Sequence, residues 1–245
     1  MANLLKKIRI VLVETSHPGN IGGVARAMKN MKLDQLYLVS PNIFPSADAT
    51  SRASGADEIL AAAKICDSLQ EAISDCTLVF GASARDRTLS WPVLAARECA
   101  EKIVSDGNLT NVAIVFGREN SGLTNQELDL CHFLLRIPCN PAFSSLNLAA
   151  AVQVVGYELF VASEQRQEHK LLTSEREALA TSQQLELFYQ HLHQALIDIG
   201  FMHPDKSKSI MRRLRRIYNR TRLDTKEVDI LRGILRMSQG NKCNE

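Results

Sequence analysis

Over the first 160 residues or so, the apolar positions follow two alternating periods. Ile8–Val13 (IRIVLV), Gln35–Val39 (QLYLV) and residues 77–82, 112–117 and 133–137 are short, apolar runs rich in β-formers. Such near-continuous runs suit strands covered on both faces, as in a parallel sheet. Between them, residues 21–32, 56–64 with 69–74, 92–105 and 125–131 carry apolar side chains at helical spacing. Thr124 and Glu127 form a capping box for the last of these. A longer helix is predicted over 146–164. Strands alternating with helices predict an α/β layered fold, with helices on both faces of a parallel sheet and ligands at the carboxyl ends of its strands.

The pattern then changes. Residues 165–181 are polar and rich in Gln, Glu and Lys. Beyond them Leu185, Phe188, Tyr189, Leu192, Leu196 and Ile199 recur at helical spacing, and Gly200 stands where a helix C-cap belongs. Ile210, Leu214, Ile217 and Tyr218 mark a second helix. Asp224 and Glu227, followed by Ile230, Leu231, Ile234 and Leu235, mark a third. The expected organisation is an α/β domain over 1–165, a linker over 166–180 and a small α-helical domain over 181–245.

Composition changes this picture little, since 45% hydrophobic and 23% charged residues are ordinary for a globular chain. No run approaches the roughly 20 apolar residues of a membrane span. The N-terminal apolar run is too short for a secretory signal and lacks a small-residue cleavage site, so a cytoplasmic protein is expected. Six scattered cysteines without C-x-x-C or a nearby His pair read as reduced structural thiols, and no metal site is expected. Charge changes more. The net +2 conceals a basic segment, Lys206, Lys208, Arg212, Arg213, Arg215, Arg216, Arg220, Arg222, Lys226, Arg232 and Arg236, against only Asp224, Glu227 and Asp229. A near-neutral body with a basic tail points to a polyanionic partner.

Three loop regions could carry chemistry. The first, residues 14–26, holds Gly19, Gly22 and Gly23 between a strand and a helix. Its spacing is not G-x-G-x-x-G, and the second strand ends Val39-Ser40-Pro41 without a ribose-holding acid, which disfavours a nucleotide-dependent dehydrogenase. A tight glycine turn explains it equally well. The second region comprises residues 81–85 (GASAR) and 116–123 (FGRENSGL), which leave consecutive strands with small residues that let a ligand approach the backbone. The third, residues 137–148, is stiffened by two prolines and brings Ser144, Ser145 and Asn147 to a helix start, where plain N-capping also accounts for them.

In this order Asn20-x-Gly22-x-x-x-Arg26, Phe116-Gly117-x-Glu119-x-x-Gly122-Leu123, and Ile137-Pro138 followed by Ser145-Leu146-Asn147 resemble the SPOUT superfamily of methyltransferases, in its TrmH/TrmJ-like branch. The resemblance covers about residues 8–160. The segments at 187–192 (LFYQHL), 211–216 (MRRLRR) and 229–235 (DILRGIL) are similar to the members of that branch that modify pyrimidine nucleotide 32 of the tRNA anticodon loop. The resemblance implies S-adenosylmethionine as cofactor and the ribose 2′-hydroxyl of cytidine or uridine as acceptor. It also implies a homodimer and a deep trefoil knot around the second and third loops, a feature that no base rate would suggest. The cofactor would lie against Ala82, Ser83, Ala84, Gly117, Glu119, Ile137, Ser144, Ser145 and Leu146. Family members often carry Thr at the position of Ala82, so the contact implied there is through the backbone.

Arg26, Asn20 and Ser145 are the catalytic residues that the resemblance implies. A guanidinium is a poor base near neutral pH, so Arg26 is expected to grip a phosphate and the developing alkoxide. Arg212, Arg213, Arg215, Arg216 and Arg220 lie on several faces of one helix and are expected to contact phosphates of the tRNA anticodon stem-loop. The competing readings are a methyltransferase of the same superfamily acting on ribosomal RNA and a non-catalytic RNA-binding protein of the same fold.

Overall fold

Ile8–Val13, buried along its whole length, forms the first strand, β1. Its side chains divide between the two faces of a sheet, as the two-residue period of a strand requires. Ile8, Ile10 and Leu12 enter one core, and Val11 and Val13 the other. Arg9, buried in the same strand, donates to the carboxylate of Asp75 at 2.7 Å and lies 4.1 Å from the centre of the Tyr37 ring. The computed structural model describes residues 4–84, 91–106, 111–143, 145–168, 178–204 and 207–240.

The chain continues through α1 (Pro18–Asn30), β2 (Gln35–Val39), α2 (Ala47–Ala53), α3 (Asp57–Ala61), β3 (Lys64–Cys66), α4 (Leu69–Ile73) and β4 (Leu78–Ala82). There follow β5 (Val93–Ala95), α5 (Ala96–Ser105), β6 (Val112–Phe116), α6 (Asn125–Leu128), β7 (Phe133–Arg136) and α7 (Leu148–Glu168). The seven strands pair in parallel in the order β3-β2-β1-β6-β4-β7-β5. α1, α5 and α7 pack with α2 and α3 on one face, and α4 and α6 cover the other.

The five expected strands are present, and two more stand at the edges. β3 and β5 have three residues each, too few for a period to register. β5 takes the start of the predicted helix 92–105, which begins only at Ala96, where Glu98 reaches back to the Ala95 amide at 2.7 Å. α1 starts earlier than the expected residue 21, because Pro18 opens it and His17 Nδ1 accepts from the Gly19 amide at 3.0 Å. α2, which no apolar period announced, lies so close to α1 that a Cβ on Gly22 would stand 2.0 Å from the Ala49 carbonyl oxygen.

Three further helices, α8 (Ser182–Asp198), α9 (Ser207–Thr221) and α10 (Thr225–Gly240), surround their own apolar cluster of Leu185, Phe188, Tyr189, Leu192, Met211 and Val228. Gly200 follows α8 with φ +75°, the left-handed conformation its predicted capping place demands. The cluster is docked on the sheet layer by polar ties. The Ser182 amide donates to the Cys76 carbonyl at 2.7 Å, Arg212 pairs with Asp129 at 2.9 Å, and Arg222 pairs with Asp106.

His132 is buried just before β7, with Nδ1 accepting from the Val79 amide at 3.1 Å. Burial, reinforced by the nearby Arg222 charge, pushes this imidazole down to about 4. The unfolded chain therefore takes up the proton first, and stability present above about pH 6.5 drains away as pH falls toward the folded value. Between pH 7 and pH 5 the loss is about 2 kcal/mol from this residue. Urea midpoints of the wild type and His132→Gln at the two pH values check this, and the variant should show the shallower decline.

Candidate active site

Because β1, β6, β4 and β7 are neighbours in the sheet, the loops leaving their carboxyl ends meet along one edge. They enclose a cleft of about 440 Å³. Asn20, Ala82, Ser83, Ala84, Gly117, Glu119, Ile137, Ser145 and Leu146 all line it, together with Leu135, Cys139 and Asn147. Ser144 lies outside the described residues. Arg26 does not line the cleft. It is exposed on α1, six residues beyond Asn20, or about 9 Å along the helix axis at 1.5 Å per residue.

Two features shape the walls. First, the 117–123 loop doubles back, with the Gly122 amide donating to the Arg118 carbonyl at 2.8 Å. A Cβ on Gly117 would meet the Gly122 carbonyl carbon at 2.2 Å, so only glycine permits this closure. Second, Asn147 caps α7 by accepting from the Ala149 amide at 2.9 Å, which fixes where the 137–147 loop ends.

A chain of side chains joins all three loops. Glu119 accepts from the Ser16 amide at 3.1 Å, the Ser16 hydroxyl at 3.0 Å and the Asn20 side-chain amide at 2.8 Å. The Asn20 oxygen in turn accepts from Asn147 Nδ2 at 3.1 Å. Glu119 thus borders the cleft, but its carboxylate is turned to the β1–α1 loop. Burial pushes the Glu119 carboxyl up, yet the bonds from Asn20, backbone and Ser16 outweigh it and hold the group below the ordinary carboxylate range. The tie therefore persists at neutral pH and is lost only as pH falls through that depressed value.

The arginines expected to meet RNA separate into two sets. Arg215 makes two bonds of 2.7 Å to Glu186 and lies 4.4 Å from the centre of the Tyr189 ring, and Arg212 is held by Asp129. Both are committed within the chain. Arg213 and Arg220 are exposed and Arg216 is half-buried. At 100° per residue these three fall within a 60° arc of α9, with exposed Ile217 beside them.

Sequence reasoning left out Ser16, Asn147 and Arg118 as site residues. Asn147 carried a signal as the last residue of the third motif. Ser16 and Arg118 carried none, because the partners that tie the two loops together, Glu119 for Ser16 and Glu14 for Arg118, lie about a hundred positions away. A second cavity, of about 280 Å³, lies at the seam between α4, α8 and α9. Its Arg215, Glu186, Tyr189 and Asn219 bond to one another or to nearby backbone, which leaves the loop cleft as the better candidate for a ligand. Among the described residues no group of His, Cys, Asp and Glu could hold a metal ion, and no helix is long and apolar enough to cross a membrane.

Residues 7–157 match the SpoU rRNA Methylase family, and residues 183–245 match the C-terminal domain of the tRNA methyltransferase TrmJ. The chain is 52% identical over 250 residues to the tRNA (cytidine/uridine/adenosine-2′-O-)-methyltransferase TrmJ of Pseudomonas aeruginosa, covering 96% of this chain and 95% of that one. Among solved structures, TrmJ from Z. mobilis superposes with a TM-score of 0.81 at 34% identity, covering 94% of this chain and 97% of that one. The SpoU methyltransferase AviRb from Streptomyces viridochromogenes, solved in complex with the cofactor AdoMet, shares the fold at 19% identity. Its TM-score is 0.50, over 66% of this chain and 62% of that one.

Proposed function

Because the chain belongs to the SpoU rRNA methylase family and ends in a TrmJ-type domain, we propose that it is a tRNA ribose 2′-O-methyltransferase. It takes its methyl group from S-adenosylmethionine and delivers it to pyrimidine nucleotide 32 of the anticodon loop. The observation that carries this reading is the meeting of three loops, through Glu119, Asn20 and Asn147, at a cleft in a chain that matches a tRNA 2′-O-methyltransferase along almost its whole length.

The residues present fit the cofactor. A cleft of about 440 Å³ falls within the range of small-molecule sites. Ala82, Ala84 and Gly117 leave the backbone open to close approach, and Leu135, Ile137 and Leu146 offer an apolar wall to a flat base. When bound, the cofactor supplies an electrophilic methyl group on a sulfonium. The chain's own work is alignment, which contributes roughly 7 to 11 kcal/mol in well-oriented systems. In this reading Ala82, Ser83, Ala84, Ile137, Ser144 and Leu146 hold the cofactor. Asn20 and Ser145 stand on the cleft wall and orient the acceptor ribose. Arg26, exposed outside the cleft, holds an adjoining phosphate and the negative charge developing on the 2′ oxygen. The proton leaving that oxygen passes to water or an RNA phosphate, since a guanidinium is already protonated.

Residues 1–165 then serve as the methyltransferase domain and 181–245 as the tRNA-binding domain of a cytoplasmic enzyme. A homodimer belongs to the same reading, supported by the exposed apolar Val154 and Tyr157 on α7 and Phe143 before it. So does the trefoil knot. β7 lies between β4 and β5, both earlier in the chain, so the backbone returns between two strands already laid down.

The RNA contact is assigned to Arg213, Arg216 and Arg220 rather than to all five arginines. Replacing these three with alanine should make the slope of log affinity against log salt less negative by roughly two to three. Arg212→Ala should instead leave the slope alone and lower the Tm, because its partner is Asp129. An unchanged slope in the triple variant removes this stripe from the RNA interface. The function itself is tested with methyl-labelled cofactor and purified tRNA or ribosomal RNA. Label is expected in tRNA. Label in ribosomal RNA alone would establish the rival substrate, and absence of cofactor binding by calorimetry would leave a non-catalytic RNA-binding protein.

A further inference from the structure

The backbone pairing of β1 with β6 ends at Leu12 opposite Phe116. Two residues further on, in the same register, Arg118 meets Glu14, donating from Nε at 2.8 Å and again from Nη2. The same guanidinium donates at 3.1 Å to each carboxylate oxygen of Glu127, whose Oε2 also accepts from the Thr124 amide to cap α6. Glu14 has φ +47°, so the chain turns sharply there before Ser16 reaches Glu119. The two loops are thus joined by side chains where the strands stop, first Glu14 with Arg118 and then Ser16 with Glu119.

We infer that Arg118 is a positioning residue for the methyl transfer: by clamping Glu14 and Glu127 together it places its neighbour Glu119, which in turn holds Asn20 and the entrance of α1. Arg118 itself lines the cleft, but the role assigned to it is to place Glu119 rather than to touch a reactant. Glu119 follows directly on Arg118, whose guanidinium is bonded by carboxylates on two sides, and a shift there moves the acceptor for Ser16 and Asn20 together. The bonds with Arg118 also hold the Glu14 carboxyl below its ordinary range, so that arm of the clamp stays ionised at neutral pH.

The kinetic consequence rests on the proposed methyltransferase reading, whereas the structural one does not. In Arg118→Gln, kcat should fall about 10- to 100-fold, since a misplacement of about 1 Å can cost that much. The cofactor Kd should rise by less than kcat falls, because Ala82, Ile137 and Leu146 belong to other loops and only Gly117 shares this one. Arg118→Lys should recover part of kcat, as an ammonium can meet one carboxylate but not bridge both bidentately. Hydrogen exchange on the full chain supplies the second readout. The Ser16 and His17 amides should exchange faster in Arg118→Gln, while those of Ile10 and Leu12 stay protected. Unchanged kcat in the folded variant, or a Ser16 amide as slow as in the wild type, overturns the inference. Should Arg118→Gln fail to fold, Glu14→Gln, which weakens one arm only, is read by the same two measurements. If the wild type transfers no methyl group, the functional reading fails and the exchange result alone decides the clamp.

Discussion

Arg26→Ala lowers methyl transfer to tRNA about 10²- to 10³-fold, the range seen when one donor to a developing oxyanion is removed, and leaves cofactor affinity within about threefold. The expectation follows from where the side chain stands. Arg26 is exposed on α1 and outside the cleft, while the start of the same helix is tied by Asn20 to both Glu119 and Asn147. On the proposed reading, Arg26 meets a phosphate and the 2′ oxygen of the acceptor RNA and makes no contact with the cofactor. Arg26→Lys keeps the charge but loses the planar fork that suits phosphate and alkoxide oxygens, so its turnover should fall between the alanine variant and wild type. Single-turnover rates with saturating cofactor, beside calorimetric Kd values, check both variants. Wild-type turnover in Arg26→Lys would make fork geometry irrelevant. A parallel loss of cofactor affinity in Arg26→Ala would place the residue on the other reactant.

Gly117→Ala should be the most damaging single change in the loops. Its Cβ would stand 2.2 Å from the Gly122 carbonyl carbon, 2.4 Å from the Leu123 nitrogen and 2.5 Å from the Gly122 oxygen. All three are backbone atoms, which no rotamer change can move aside. The loop must open, carrying Arg118 and Glu119 with it and distorting the cleft wall. Overpacking of this kind costs about 1 to 3 kcal/mol, and more where backbone must move, so the Tm should fall by several degrees. Cofactor affinity should drop at least about tenfold, on the reading that Gly117 forms the wall against which the cofactor lies. Gly233→Ala on α10 is the matched control. Nothing lies within 4 Å of that Cβ, so the exchange should raise helix stability by up to about 1 kcal/mol and leave turnover unchanged. Calorimetry and thermal melts of the two variants decide the matter, and a Gly117→Ala protein that binds cofactor like the wild type would contradict the assignment.

The sheet was readable because each central strand is an apolar run of four to six residues, covered on both faces. β3 and β5 were not, since three residues at an edge need little apolar character and Ile65 stands exposed. α2 was invisible for a similar reason, its approach to α1 being set by the absence of a side chain on Gly22 rather than by an apolar stripe. In the site, the ordered motifs named most of the residues that line the cleft. They did not reveal what Glu119 does, because its partners Ser16 and Asn20 are about a hundred residues away. The basic helix shows the same limit. Its arginines are alike in sequence, and only the position of Asp129 and Glu186 in the fold turns Arg212 and Arg215 inward and leaves Arg213 and Arg220 outside.

The central claim is that this chain methylates one ribose oxygen of tRNA. It is tested most directly with purified protein, methyl-labelled S-adenosylmethionine and two tRNA transcripts that differ only in carrying ribose or 2′-deoxyribose at nucleotide 32. The account predicts label in the ribose transcript and none above background in the deoxy transcript. Equal label in both transcripts, or none in either while ribosomal RNA is methylated, would contradict it.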